Sequence, residues 1–127
     1  KDPDNIFYSE VIIYSKELGI AGTIDVLVYN KKQDAYHLVD WKTNKRIDKT
    51  SFRKKMGILN STKHLQDCNF NHYSLQLSFY RYILERYYGL NIGSQTLFHL
   101  KENRYEIFPV NYHEEELINM LREKELI

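Results

Sequence analysis

The chain has 127 residues, 43% of them hydrophobic, enough for one compact domain with one core and too few for two ordinary domains. Eighteen Lys and Arg against seventeen Asp and Glu leave a formal charge of +1, so global charge gives no warrant for a polyanionic partner and only local clusters can argue for one. The single cysteine, Cys68, excludes an internal disulfide and a four-cysteine zinc or iron–sulfur site. No apolar run approaches the ~18 residues of a membrane span, and Lys1–Asn5 lack the apolar stretch of a signal peptide. These features predict a soluble, intracellular protein without a membrane partner.

Residues 7–42 carry β-branched and aromatic residues with polar breaks near Lys16–Gly19 and Asn30–Asp34, and so predict three strands joined as two hairpins. Residues 43–72 are polar and predict a long connection. Tyr73–Tyr88 predicts a helix of about four turns, with Leu75, Phe79, Tyr82 and Leu84 to Tyr87 as its apolar contacts and Gly89 as its end. Ser94–Leu100 and Arg104–Val110 predict a third hairpin around Lys101–Asn103. Glu114–Glu125 predicts a last helix with Leu117, Met120 and Leu121 inward. The expected class is α/β (α+β): a central mixed sheet with antiparallel hairpins, flanked by helices, forming one domain over residues 1–127.

The chemistry concentrates in GTIDVLVYNKKQDAYHLVDWKTNK, residues 22–45. Alternate residues of a strand share a face, so Thr23, Asp25 and Leu27 point one way, as do Leu38, Asp40 and Lys42 on the next strand. A symmetric turn over Asn30–Ala35 sets Asp25 opposite Asp40 and Val26 opposite Val39. A turn centred on Glu17–Leu18 sets Glu10 opposite Asp25, which would line three acids on one face with Lys42 two residues beyond Asp40. Facing carboxylates repel and raise a pKa unless a cation neutralises them. All-oxygen ligation favours Mg²⁺ or Mn²⁺ over zinc, and an adjacent ammonium is suited to stabilise developing charge.

Gly22-Thr23-Ile24-Asp25, followed by Asp40-Trp41-Lys42-Thr43 at the end of the next strand, resembles motifs II and III of the PD-(D/E)XK nucleases, with Ile24 in place of the eponymous Pro. The closer resemblance is to the RecB-like exonuclease branch, which includes the mitochondrial genome maintenance exonucleases. Gln76 and Tyr80, four apart on the following helix, resemble that branch's glutamine–tyrosine motif, with Tyr73 one turn before. The resemblance covers residues 8–90. It implies a restriction-endonuclease-like core that hydrolyses phosphodiester bonds in DNA with Mg²⁺ or Mn²⁺. It also implies Asp25, Asp40 and the Trp41 carbonyl as metal ligands, Lys42 as catalytic lysine and Gln76 as organiser of the site. Thr43, Lys45, Arg46, Tyr73 and Tyr80 become candidate nucleic-acid contacts.

The sequence departs from that branch in one respect. Its members usually take a further ligand from an upstream helix, and the 24 residues before Asp25 make no such helix. The expectations are that Glu10 substitutes as a ligand or that this chain is a piece of a longer protein. An iron–sulfur cluster, carried by some relatives, cannot be built from one cysteine. Lys45, Arg46, Lys49, Arg53, Lys54 and Lys55 put six basic residues in the eleven after Thr43-Asn44, either a solvated face or a phosphate-binding loop. His37 reads as structural, and His64, Cys68 and His72 match no strong zinc pattern. The partner implied is single-stranded or end-containing DNA, cut by an exonuclease in repair, recombination or replication. The alternatives are an endonuclease module and a catalytically silent nucleic-acid-binding domain, against which the intact Asp25, Asp40 and Lys42 argue.

Overall fold

The computed structural model describes residues 2–43 and 69–127, which form five strands and two helices. Strands β1 (Asn5–Ser15), β2 (Ile20–Asn30) and β3 (Ala35–Lys42) make two successive antiparallel hairpins. Helix α1 (Asn69–Tyr87) lies in the crossover that a parallel pair requires, and β4 (Ile92–Leu100) then runs parallel to β3. Strand β5 (Tyr105–Pro109) returns antiparallel to β4, and α2 (Glu114–Glu123) closes the described chain. The result is an α+β arrangement around one mixed sheet in the order β1-β2-β3-β4-β5.

The turn symmetry read from the sequence holds in both hairpins. Val26 pairs with Val39, and Ser9 and Val11 pair with Val26 and Ile24. The buried Asn30 fixes the second turn from its side chain, donating to Asn5 Oδ1 (2.8 Å) and accepting the Gln33 N–H (3.0 Å). At the sheet's edge, the Tyr88 hydroxyl accepts the Tyr14 N–H (3.0 Å) and donates to the Tyr14 carbonyl (3.3 Å). Two backbone groups of edge strand β1 are thereby closed to pairing with another chain.

Helix α1 packs on β1, β3 and β4 and against α2. The core joins Ile13, Ile24, Leu27, Leu38 and Leu97 of the sheet to Leu77, Ile83 and Leu84 of α1 and Leu117 and Leu121 of α2. The inward face of α1 includes the expected Tyr82 and Leu84, with Phe79 and Tyr87 packed at its margin, and adds residues the pattern did not single out. Ser74 and Ser78 are fully buried, while Leu75 and Phe79 are only half-buried. Each serine hydroxyl donates to the carbonyl one turn earlier, Ser74 to Phe70 and Ser78 to Ser74, both at 2.8 Å. Burial therefore leaves neither hydroxyl unsatisfied, and the small side chains let neighbouring elements approach closely. Ser78 also accepts the backbone N–H of His113 (3.0 Å), which ties the start of α2 to α1.

Strict alternation fails at one place in β2. Ile24 and Leu27, three apart, both enter the same core, which period two forbids. Opposite this point Glu10 is unpaired, with φ at 52°, while its neighbours Ser9 and Val11 keep the register. The irregularity re-aims side chains as a bulge does. The register leaves Glu10 across from Asp25 as expected, but the ladder skips it and its side chain is exposed, so the three acids do not form a regular row.

A non-glycine residue in the left-handed region costs on the order of 1 kcal/mol. Glu10→Gly is accordingly expected to be neutral or to stabilise by up to about 1 kcal/mol in urea denaturation, and Glu10→Val to destabilise by about 1 kcal/mol or more. A glycine variant clearly less stable than the parent would mean that the strand runs regularly through position 10.

Candidate functional site

Asp25 sits where β2 loses its neighbours. The β2–β3 ladder ends at Val26–Val39, and beyond it the Asp25 carboxylate accepts the Trp41 backbone N–H (Oδ2, 2.9 Å). A side chain thus takes the place of a ladder carbonyl and fixes where the Asp25 carboxylate lies. Strand β3 continues along β4 on its other edge, with Asp40 beside Leu97, Trp41 beside Phe98 and Lys42 beside His99.

Asp40 is 5% exposed, and the Asp25 carboxyl is close enough to raise its pKa. Burial pushes its pKa up to about 6, the nearby Asp25 adds to the rise, and the Lys42 ammonium opposes it. Lys42 Nζ lies 2.9 Å from Asp40 Oδ2. That oxygen nevertheless has no hydrogen bond of good angular geometry, so the contact is a close ion pair that leaves acceptor capacity unused.

Two further groups hold the Lys42 ammonium. Its Nζ donates to Gln76 Oε1 at 3.5 Å, a long contact, and stands 4.1 Å from the centre of the Tyr73 ring, within cation–π range. Gln76 Nε2 in turn donates to the Tyr80 hydroxyl (3.1 Å). Gly22 is required by this arrangement, because a Cβ there would stand 2.5 Å from Tyr80 Cε1 and 3.0 Å from its hydroxyl oxygen. Gly22, Asp25, Asp40, Lys42, Tyr73, Gln76 and Tyr80, from two strands and one helix, thus form one connected site.

The predicted residues divide accordingly. Asp25, Asp40, Lys42, Gln76, Tyr73 and Tyr80 come together, and Trp41 contributes its amide. Thr43 is exposed just beyond β3. Glu10 does not complete a cluster: among the described residues no group of three His, Cys, Asp or Glu side chains converges as a metal site. Lys45 and Arg46, the rest of the basic run, and His64 and Cys68 lie outside the described residues. His37 is held by Ser94 Oγ (2.7 Å) and Gln33 Oε1 (2.6 Å), a structural setting. The sequence reading assigned no role to Gly22 and no lysine contact to Tyr73. A glycine one helix-ring's thickness from a tyrosine is visible only when strand and helix are docked.

The donor set suits a hard divalent cation. Two carboxylates that repel each other, one with a buried unsatisfied oxygen, offer the ligands that Mg²⁺ or Mn²⁺ takes alongside water and phosphate oxygens. Among the described residues no helix is long and apolar enough to cross a membrane. Compared with known proteins, the chain matches no family model and no curated sequence.

Two outcomes follow from the geometry. A carboxyl whose pKa rises on folding binds more protons in the native than in the unfolded state between about pH 4 and 6, so stability falls as pH climbs through that window. In EDTA, the loss attributable to Asp40 is on the order of 2–3 kcal/mol by pH 7. Asp40→Asn should flatten that fall, and Mn²⁺ should offset it in the parent; thermal melts across pH 4–8 read both. Separately, Gly22→Ala forces Tyr80 aside and should destabilise by about 1–3 kcal/mol. In a double-mutant cycle Tyr80→Ala should remove most of that cost, whereas strictly additive losses would mean that the two residues do not meet.

Proposed function

We propose that this chain is the core of a restriction-endonuclease-like, Mg²⁺- or Mn²⁺-dependent nuclease that hydrolyses DNA, acting as an exonuclease on single strands or ends. The observation that carries this reading is the Asp25–Asp40 carboxyl pair with the Lys42 ammonium at 2.9 Å, held from behind by Gln76. The order in sequence supports it too: Gly22 to Asp25, then Asp40-Trp41-Lys42, then Gln76 and Tyr80 resemble the motifs of the RecB-like branch.

Asp25 and Asp40 hold the cation in this reading, with the Trp41 carbonyl as a further oxygen donor. When bound, the ion neutralises the pair, polarises a phosphoryl oxygen and favours deprotonation of water. Lys42 places positive charge where the pentavalent phosphorus gathers negative charge, and its ammonium can orient the attacking water. Gln76 limits the freedom of that ammonium, and Tyr73 adds a face of negative potential beside it. Burial of Asp40 lowers the local dielectric, which strengthens each of these interactions.

Lys42→Ala separates binding from chemistry. Calorimetric Mn²⁺ affinity and DNA affinity should stay near the parent's, while cleavage falls by roughly 10²-fold or more. Asp25→Asn combined with Asp40→Asn should abolish Mn²⁺ binding and cleavage together, and EDTA should stop cleavage by the parent. Unchanged Mn²⁺ binding in the double variant, or a parent that cuts neither DNA nor RNA with either metal, would overturn the reading.

A further inference from the structure

A groove of about 390 Å³ opens beside the site, between α1, the start of β2 and α2. Ile20, Leu75, Phe79 and Met120 make its apolar walls, and His72, Gln76 and Tyr80 supply polar groups. Gln76 and Tyr80 are also the residues that back Lys42, so groove and carboxylate cleft share a wall: Lys42 Nζ reaches Gln76 Oε1 at 3.5 Å, and Gln76 Nε2 reaches Tyr80 at 3.1 Å.

We propose that the groove binds one unpaired nucleobase of a single-stranded substrate, next to the phosphodiester at the carboxylates; this rests on the nuclease reading. The lining selects for such a group. It carries no carboxylate, ammonium or guanidinium among the described residues, which suits a neutral ring better than a phosphate. Phe79 and Tyr80 offer aromatic surface for stacking, which tolerates any base, and the Gln76 amide can bond a base edge. Met120, flexible and polarisable, adapts to rings of different size. The volume lies at the low end of the roughly 300–1,000 Å³ of small-ligand sites, with room for a single nucleoside.

The inward-facing residues explain why the groove exists. Leu75 and Phe79 sit on the flank of α1 left half-exposed when Ser74, Leu77 and Ser78 take the buried face. Phe79, Ile20 and Met120 pack against the core from its margin, so the apolar margin of the core is here continuous with a polar site.

The test measures Kd for a single-stranded DNA tetramer by calorimetry, with Ca²⁺ so that binding is read without cleavage. An abasic residue is placed at each of the four positions in turn, and Mn²⁺-dependent cleavage of the same tetramers is assayed in parallel. One abasic position should weaken binding to the parent about tenfold, the scale of one lost base–aromatic stack. Phe79→Ala should weaken the intact tetramer similarly, and in that variant the same abasic position should cost nothing more. His72→Ala, at an exposed position, should show the same non-additivity with a loss of about threefold. It carries the test if circular dichroism shows Phe79→Ala to be unfolded. Losses that multiply to about 100-fold, an abasic residue without effect at every position, or no tetramer binding overturn the groove. A protein that cuts DNA without base dependence keeps the activity and loses the groove. One that binds with the expected pattern yet cuts nothing keeps the groove and loses the activity.

Discussion

Asp25 accepts the Trp41 N–H at the one point where β2 pairs with neither neighbour, and the geometry around the site follows from that bond. A central strand normally satisfies its edges with two ladders. Here Glu10 leaves one ladder at φ 52°, and the other stops at Val26–Val39. The strand can then turn its faces over between Ile24 and Leu27, so that both residues enter the one core. An acid at the changeover has a backbone donor to bond and an adjacent acid, Asp40, to repel. A regular strand would present Asp25 as one more alternating side chain.

The repulsion is left in place by the rest of the site. A buried ion pair recovers its desolvation cost only with good geometry, and Asp40 Oδ2 lacks a well-angled bond even with Lys42 Nζ at 2.9 Å. A sequence selected only for stability could replace the set with packed apolar residues. Lys42 is instead held by Gln76 and Tyr73, Gln76 by Tyr80, and Tyr80 fits only because residue 22 has no side chain. Such chained support restricts where the charges can lie, a requirement of a binding or reacting centre more than of a core.

Some of this was legible in the residues and some was not, for identifiable reasons. Hairpin registers followed from turn symmetry because side chains repeat every two residues and one face is apolar, so Val26–Val39 and Ser9–Val26 pair as read. Glu10 misled because the reading assumed an unbroken ladder, and nothing in a glutamate announces a positive φ. The α1 face misled for a different reason: serine reads as surface on hydropathy, yet Ser74 and Ser78 go inward because the turn above accepts their hydroxyl protons. Leu75 lies outside the core, on the flank that lines the groove, while Phe79 packs at the core's margin and lines the groove as well. Gln76 and Tyr80 were placed correctly because helical spacing of four depends on no tertiary detail.

Trp41 joins the two faces of the sheet. Its amide holds Asp25, while its indole, 41% exposed, meets the Phe98 ring edge-on at 5.3 Å, and Phe98 stacks on Tyr105 at 5.9 Å. The aromatic row crosses β3, β4 and β5 on the face opposite Asp40. Rings packed across strands restrict the twist of the backbone between them, and the peptide that donates to Asp25 is the one that carries the first ring. The Trp41 peptide is therefore supported from both sides, by the Asp25 carboxylate and by ring packing across β3 and β4. Exposed aromatics on a sheet can read as a surface waiting for a partner. Part of their role here is internal, since Phe98 and Tyr105 brace the strand end from which both Asp40 and Lys42 project.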